Sequence, residues 1–170
     1  KETDDAKEII EFIEKNPISF MNGQKGQEVL MGSENVTEVI RTNEVTNTVS
    51  KISAMTEIRE FMVAEQQRIA KNGGIIMDGR DIGTAVLPNA DLKIYLTASS
   101  RTRAERRYKE LVEKGQECNI DDIEKDIIDR DYRDMHREVS PLVQAEDAVL
   151  VESSDMTIEQ VVETITKLVK

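Results

Sequence analysis

Residues 78–84, Asp-Gly-Arg-Asp-Ile-Gly-Thr, concentrate groups that can bind an anion. Arg80 can donate paired hydrogen bonds to a phosphate, and Asp81 can accept a hydrogen bond from an amino group or from Arg80. Gly79 and Gly83 lack a Cβ and therefore permit close approach of the backbone to a ligand. The same residues could instead form a turn after a strand, closed by an Asp–Arg pair.

A second group of charged side chains lies near residue 130. Arg130, Asp134 and Arg137 are spaced i, i+4 and i+7, which places them on one face of a predicted helix. Two arginines flanking a carboxylate can bind a phosphate and a sugar diol together. The alternative is a solvent-exposed helix laced with salt bridges. His136 falls on another face and is expected at the surface, and Cys118 is expected to be incidental.

Arginine is unevenly distributed in a chain that is acidic overall. The formal net charge is −11, yet seven of the eleven arginines lie within residues 101–137. A guanidinium matches phosphate oxygens in pairs, so this clustering favours a small anionic ligand. The interleaved glutamates leave open a solvated helix face instead. The acidic balance argues against coating of a nucleic acid polymer, which needs a positive surface.

Composition indicates one globular domain with a small insertion. The 170 residues are 38% hydrophobic and 34% charged. No apolar run approaches the roughly 20 residues of a membrane span. A single cysteine excludes an internal disulfide framework, and the first residues lack the apolar stretch of a secretory signal. We therefore expect a cytoplasmic protein with no membrane partner.

Hydrophobic periodicity predicts alternating strands and helices. Helices are expected over 4–14, 43–52, 56–72, 100–114, 121–136 and 157–169, and apolar strands over 75–77, 93–98 and 148–151. Between Ile18 and Ile40, short segments broken by glycine turns predict a small antiparallel sheet. Buried strands separated by helices indicate a parallel α/β sheet, whose ligands bind beyond the carboxyl ends of the strands. Residues 78–84 follow such a predicted strand.

These residues together resemble bacterial cytidylate kinases. The resemblance rests on four segments: Ile40–Val45 with Ser50 and Arg59, the run from Gly73 to Thr84, residues 99–107, and Arg130 to Leu142. It covers essentially the whole chain. It implies a P-loop-kinase-like α/β fold: a parallel sheet flanked by helices, a small antiparallel β insertion that binds nucleotide, and a helical lid. The implied segments are a core helix at 1–14, the insertion at 15–42, core at 43–100, lid and nucleotide-binding helix at 101–137, and core at 138–170.

The resemblance also implies an activity and roles for individual residues. The reaction would transfer the γ-phosphoryl group of ATP to CMP or dCMP, with Mg²⁺ on the donor phosphates and no metal bound by the residues of this chain. The acceptor phosphate would contact Arg80 and Arg137, and the sugar would contact Arg130 and Asp134. Cytosine would contact Ser50, Arg59 and Asp81. Arg103, Arg106 and Arg107 would lie over the donor phosphates, with Arg101 a weaker candidate, and Arg41 is a further candidate for nucleotide contact. The protein is expected to be a monomer.

One feature of the family is absent from the sequence. Its GxxxxGK[ST] phosphate loop does not occur in these 170 residues, and Gly23-Gln24-Lys25-Gly26 has the wrong spacing. The resemblance places that loop in a segment before Lys1, so the chain by itself is expected to turn over negligibly and to be poorly stable. Two alternatives remain open: a non-catalytic nucleotide-binding or scaffold protein, and a related kinase acting on another nucleoside monophosphate.

Overall fold

A computed structural model describes residues 5–24, 26–53 and 55–169, without the side chains of residues 43, 46, 47, 50 and 51. The chain divides into two compact units, Lys1–Gly73 and Gly74–Lys170. The domain segments expected from the sequence stay predictions.

The first unit contains three of the predicted helices. They are α1 (Ala6–Lys15), α2 (Asn43–Ile52) and α3 (Thr56–Ala70). The carboxylate of Asp5 accepts hydrogen bonds from the Lys7 and Glu8 amides, which fixes the start of α1. Gly73 and Gly74 follow α3 with φ angles of 68° and 65°, a conformation that glycine adopts without steric cost.

The predicted antiparallel sheet is present in the same unit. Strands β1 (Ile18–Gly23), β2 (Gly26–Met31) and β3 (Glu34–Asn35) pair in the order β1-β2-β3. Ile18 lies opposite Met31, and Leu30 lies opposite Asn35. A short 3₁₀ turn, Val39–Arg41, follows the sheet and leads to α2.

The second unit contains a parallel sheet with helices between and after its strands. Strands β4 (Ile94–Thr97) and β5 (Val149–Glu152) pair in parallel, with Leu96 opposite Val151. Helices α4 (Ser100–Glu113) and α5 (Ile120–His136) connect the two strands, and α6 (Ile158–Leu168) follows β5. The mixed α/β class predicted from the sequence is confirmed.

Local side chains fix where the helices of this unit begin. The Ser99 hydroxyl accepts from the Thr102 amide at the start of α4, and the Asn119 side chain accepts from two amides at the start of α5. Thr157 and Gln160 form a capping box at the start of α6. These caps satisfy free amides in the first turns of α4, α5 and α6 and so fix where each helix begins.

The strand predicted at residues 75–77 does not form. These residues make no backbone hydrogen bond within the described part of the chain, and Ile76 is 99% exposed. An apolar run becomes a strand only when a neighbouring strand satisfies its amides and carbonyls, and among the described residues β4 is hydrogen-bonded to β5 alone. The prediction was wrong because composition reports apolar character and not the presence of a pairing partner.

Candidate anion-binding site

The two charged stretches singled out in the sequence meet in the second unit. The Nε of Arg80 donates to Oδ2 of Asp134 at 2.8 Å, across 54 positions of the sequence. Arg80 lies in the bend that precedes a π-helical turn, Ile82–Val86, and Asp134 lies in the last turn of α5. The Arg80 side chain is 40% exposed and that of Asp134 is 20% exposed. The ion pair is therefore formed at the edge of solvent, where a ligand can reach it.

The atom through which Arg80 contacts Asp134 determines which of its donors remain for a ligand. Asp134 engages only its Nε, and no hydrogen bond from Nη1 or Nη2 of Arg80 is found among the described residues. A guanidinium held through Nε still presents its terminal N–H groups in a fixed plane. Such a group can donate two bonds to an anion without losing its anchor.

Arg137 reaches the same cluster from just beyond the helix. The sequence analysis placed it on the helix face, but α5 ends at His136, and Arg137 has an extended backbone with φ −69° and ψ 146°. Its Nη2 lies 3.9 Å from Oδ1 of Asp81, and its Nε donates to the carbonyl of Ser140 at 2.6 Å. The Arg137 and Asp81 side chains are 25% and 12% exposed. The placement of Arg137 on the helix face was therefore wrong, and its contact with Asp81 brings it instead to the loop that carries Arg80.

Arg130 completes the cluster. Its Nε lies 3.8 Å from Oδ2 of Asp134, the same oxygen that Arg80 contacts. Arg80 and Arg130 thus contact Asp134, and Arg137 contacts Asp81, which leaves one positive charge in excess among these five residues. The carboxylates offset most of the repulsion between the arginines, and the remaining positive charge attracts an anion.

Arg103 is held by an acidic partner on α5. Its two terminal nitrogens donate to the two carboxylate oxygens of Asp131, with 3.1 Å between Nη1 and Oδ1. The hydrogen bond that Arg103 donates to Asp131 raises the pKa of the Arg103 guanidinium, against the effect of its partial burial. Nearby, Arg101 contacts Asp121 and Glu124. These pairs join α4 to α5 along their lengths.

Arg106 and Arg107 have different partners. Arg106 donates to the backbone carbonyls of Ser153 and Met156 at 2.6 and 3.3 Å. Arg107 pairs with Glu110 at 2.8 Å on its own helix. Hydrogen bonds from Lys114 and then Arg107 lower the pKa of the exposed Glu110 carboxyl to about 2. Arg107 therefore fits the alternative raised for the arginine-rich stretch, an exposed helix face with salt bridges. Arg106 instead bonds α4 to the segment after β5.

The other candidate residues belong to the first unit. Arg41 ends the 3₁₀ turn, where it is exposed and lies 3.7 Å from Glu38. Arg59 is half-buried on α3. Ser50 lies in α2, and its side chain is outside the described residues.

Gly79 has a packing role within the loop. A Cβ at this position would lie 2.9 Å from Cγ1 of Ile82, closer than real Cβ contacts allow. The absence of a side chain therefore lets Ile82 pack against the loop that carries Arg80.

His136 is exposed, so its predicted surface position is confirmed. Its ring stacks on Tyr132 with 4.1 Å between ring centroids.

The described residues contain no group of three or more His, Cys, Asp or Glu side chains arranged to hold a metal ion. The same part of the chain has no helix with both the length and the apolar character needed to cross a bilayer. What the site offers is a set of anchored guanidinium groups beside carboxylates, which suits a phosphorylated ligand with hydroxyl or amino groups.

Comparison with known proteins identifies the family. The sequence model of the family described as cytidylate kinase matches residues 2–170. The chain belongs to the cytidylate kinase family. It is 75% identical over 165 residues to the cytidylate kinase of Lactococcus lactis subsp. lactis (strain IL1403), an alignment that covers 97% of this chain and 75% of the relative.

Other members of the cytidylate kinase family match over similar lengths. The enzyme of Lactococcus lactis subsp. cremoris (strain MG1363) is 64% identical over 170 residues, covering 100% of this chain and 77% of the relative. A cytidylate kinase of Streptococcus pyogenes serotype M6 (strain ATCC BAA-946 / MGAS10394) is 56% identical over 158 residues, covering 92% and 70%. The family resemblance inferred from the motifs is confirmed, and membership implies the P-loop kinase fold.

The sequence analysis missed the groups that hold the arginines in place. Asp131 could have been noticed as a partner for Arg103, since the run from Asp129 to Asp134 alternates acidic and basic residues. The carbonyls that bind Arg106 and Arg137 carry no such signal, because every residue has one. These carbonyl partners can be identified only from the three-dimensional course of the backbone.

Proposed function

We propose that the Arg80, Asp81, Arg130, Asp134 and Arg137 cluster binds CMP or dCMP as acceptor of a phosphoryl group from ATP. Membership of the cytidylate kinase family supports this proposal. The single observation that carries it is the anchoring of Arg80 through Nε beside Asp134. A phosphate accepts from the outer N–H groups of Arg80 and Arg137, while Asp134 and Arg130 face the sugar hydroxyls.

Such a site suits phosphoryl transfer, in which the protein mainly positions groups and neutralises charge. Burying a phosphate dianion costs free energy unless positive groups are already in place. Here Arg80 is bonded to Asp134, and Arg137 is bonded to the Ser140 carbonyl and lies 3.9 Å from Asp81, before the ligand arrives. The ordering cost of two long side chains is thereby reduced at the moment of binding.

Arg80 is the first residue to test. Replacing Arg80 with Ala removes a charged hydrogen bond to the phosphate, which typically contributes about 1.5–3 kcal/mol. We expect CMP affinity measured by calorimetry to fall by about ten- to a hundredfold, with cytidine affinity little changed. Arg68→Ala is the matched control, since Arg68 is an exposed arginine paired with Glu65. Equal weakening of CMP and cytidine would show that Arg80 has only a structural role.

Recognition of the base is proposed for Asp81, and contact of the base with Arg59 and Ser50, which belong to the first unit, stays a prediction. Asp81 can accept a hydrogen bond from the exocyclic amine of cytosine, and UMP carries a carbonyl at that position. A site built to bind an amine rejects an analogue that lacks it, because a buried group is left unpaired.

We therefore expect Asp81→Ala to reduce the preference for CMP over UMP by about tenfold or more. Both nucleotides carry the same phosphate, so any disturbance of Arg137 affects them alike and cancels in the ratio of their dissociation constants. An unchanged ratio contradicts the assignment and favours a kinase that acts on another nucleoside monophosphate.

The donor site is proposed to involve Arg103, Arg106 and Arg107, with Arg41 a further candidate for nucleotide contact. For contact with ATP, Arg103 and Arg107 exchange Asp131 and Glu110 for phosphate oxygens. Mg²⁺ enters this step as part of the substrate, bound to the phosphates of ATP.

The monomeric state and cytoplasmic location expected from the sequence stay predictions.

We propose that the 170-residue chain alone transfers phosphoryl groups negligibly. Its sequence contains no GxxxxGK[ST] loop, whose amides and lysine cradle the donor phosphates. In a coupled assay with CMP and ATP, we expect the rate of ADP release by this chain to equal that of the blank without protein. The cytidylate kinase of Lactococcus lactis subsp. lactis, prepared in parallel, is expected to release ADP readily.

Binding of CMP without turnover would support the non-catalytic nucleotide-binding alternative for this chain. Robust turnover would contradict the proposal of inactivity. In that case the variants Arg103→Ala, Arg106→Ala and Arg107→Ala, measured in the same assay, identify which arginine contacts the donor.

A further inference from the structure

Ser140 has a backbone conformation that its residue type disfavours. Its φ angle is 49°, and it is the one non-glycine residue with a positive φ in the described part of the chain. For a residue with a Cβ, this left-handed conformation is sterically unfavourable. Ser140 also precedes Pro141, and the proline ring further restricts the backbone before it. Strained residues of this kind tend to occur at ligand-binding sites.

The carbonyl of this strained residue contacts Arg137. The Ser140 carbonyl accepts a hydrogen bond of 2.6 Å from Nε of Arg137. The segment that carries Ser140 is also bonded to the end of α5, because the Leu142 amide donates to the carbonyl of Asp134 at 2.8 Å. Arg137 lies outside α5, so the helix does not fix its side chain. Ser140 supplies a backbone acceptor for it.

The attachment matches that of Arg80. Each of the two arginines is engaged through Nε, one by the Asp134 carboxylate and the other by a backbone carbonyl. Engagement at Nε orients the plane of a guanidinium and directs its outer nitrogens away from the anchor. In Arg137 the outer Nη2 lies on the side of Asp81.

We propose that Ser140 is a positioning residue for the acceptor phosphate: its left-handed backbone aims the carbonyl that orients Arg137. This inference rests on the proposed function, because it assumes that Arg137 contacts the phosphate. The hydrogen bond uses the carbonyl and not the hydroxyl. Any residue that adopts a positive φ can therefore replace Ser140, and a residue that cannot is expected to misorient the guanidinium of Arg137.

The test compares substitutions at Ser140 that differ in this one property. Gly adopts a positive φ freely and Asn tolerates it, whereas the β-branched Val strongly disfavours it. We expect Ser140→Val to weaken CMP binding by about tenfold with cytidine binding unchanged, which corresponds to the loss of one oriented contact. Ser140→Gly and Ser140→Asn are expected to retain the affinity of the unsubstituted chain for both ligands.

A melting curve on each variant separates this effect from misfolding. If Ser140→Val does not fold, Ser140→Thr serves instead, since Thr keeps the hydroxyl and adds the β-branch that disfavours a positive φ, and a selective loss of CMP affinity is again expected. Equal loss of CMP and cytidine affinity, unchanged CMP affinity in the folded Val or Thr variant, or the same loss in Ser140→Gly would overturn the inference.

Arg137→Ala distinguishes the inference from the function on which it rests. If this variant loses CMP affinity selectively while Ser140→Val does not, the phosphate site stands and the role of Ser140 is refuted. If Arg137→Ala binds CMP as the unsubstituted chain does, the proposed phosphate contact fails, and the role of Ser140 fails with it.

Discussion

The ion pair between Arg80 and Asp134 is the contact on which the proposed site depends. It joins the loop at 78–84 to the last turn of α5, two segments that are 54 residues apart in sequence. Asp134 also lies near Arg130, and its carbonyl accepts from Leu142, so one residue connects the loop, the helix and the segment that follows it. Removal of this carboxylate would leave Arg80 without its anchor and two guanidinium groups near one another without compensation.

Compensation of charge explains how such a basic cluster can form in an acidic protein before any ligand binds. Three unpaired guanidinium groups close together would repel one another, and partial burial would add a desolvation cost. The two aspartates offset both effects, and hydrogen bonds at Nε orient Arg80 and Arg137. The excess of one positive charge then provides attraction for an anion, and the anchored Nε atoms provide direction. A lysine in place of Arg80 would supply charge without this fixed geometry.

Most helices and strands could be predicted from the sequence because their signals are local. The spacing of apolar residues, the cap at Asp5 and the glycines at 73 and 74 depend only on neighbours along the chain. The run at 75–77 differs, since a strand exists only with a partner, and the apolar pattern does not contain one.

In the site, too, some features follow from local sequence and others depend on distant contacts. The spacing of Arg130 and Asp134 on a helix and the anion-binding chemistry of the 78–84 loop were evident from residue types. Motif resemblance, and not spacing, linked these two segments to one ligand. The exit of Arg137 from the helix and the strained carbonyl of Ser140 depend on the path of the backbone, so residue types alone could not predict them.

The position of the CMP phosphate in a crystal structure of this chain tests the account most directly. We predict phosphate oxygens within hydrogen-bonding distance of the outer nitrogens of Arg80 and Arg137, with Asp134 still bonded to Nε of Arg80 and facing the ribose. A phosphate bound away from both arginines, with the Arg80–Asp134 pair unchanged, would contradict the account.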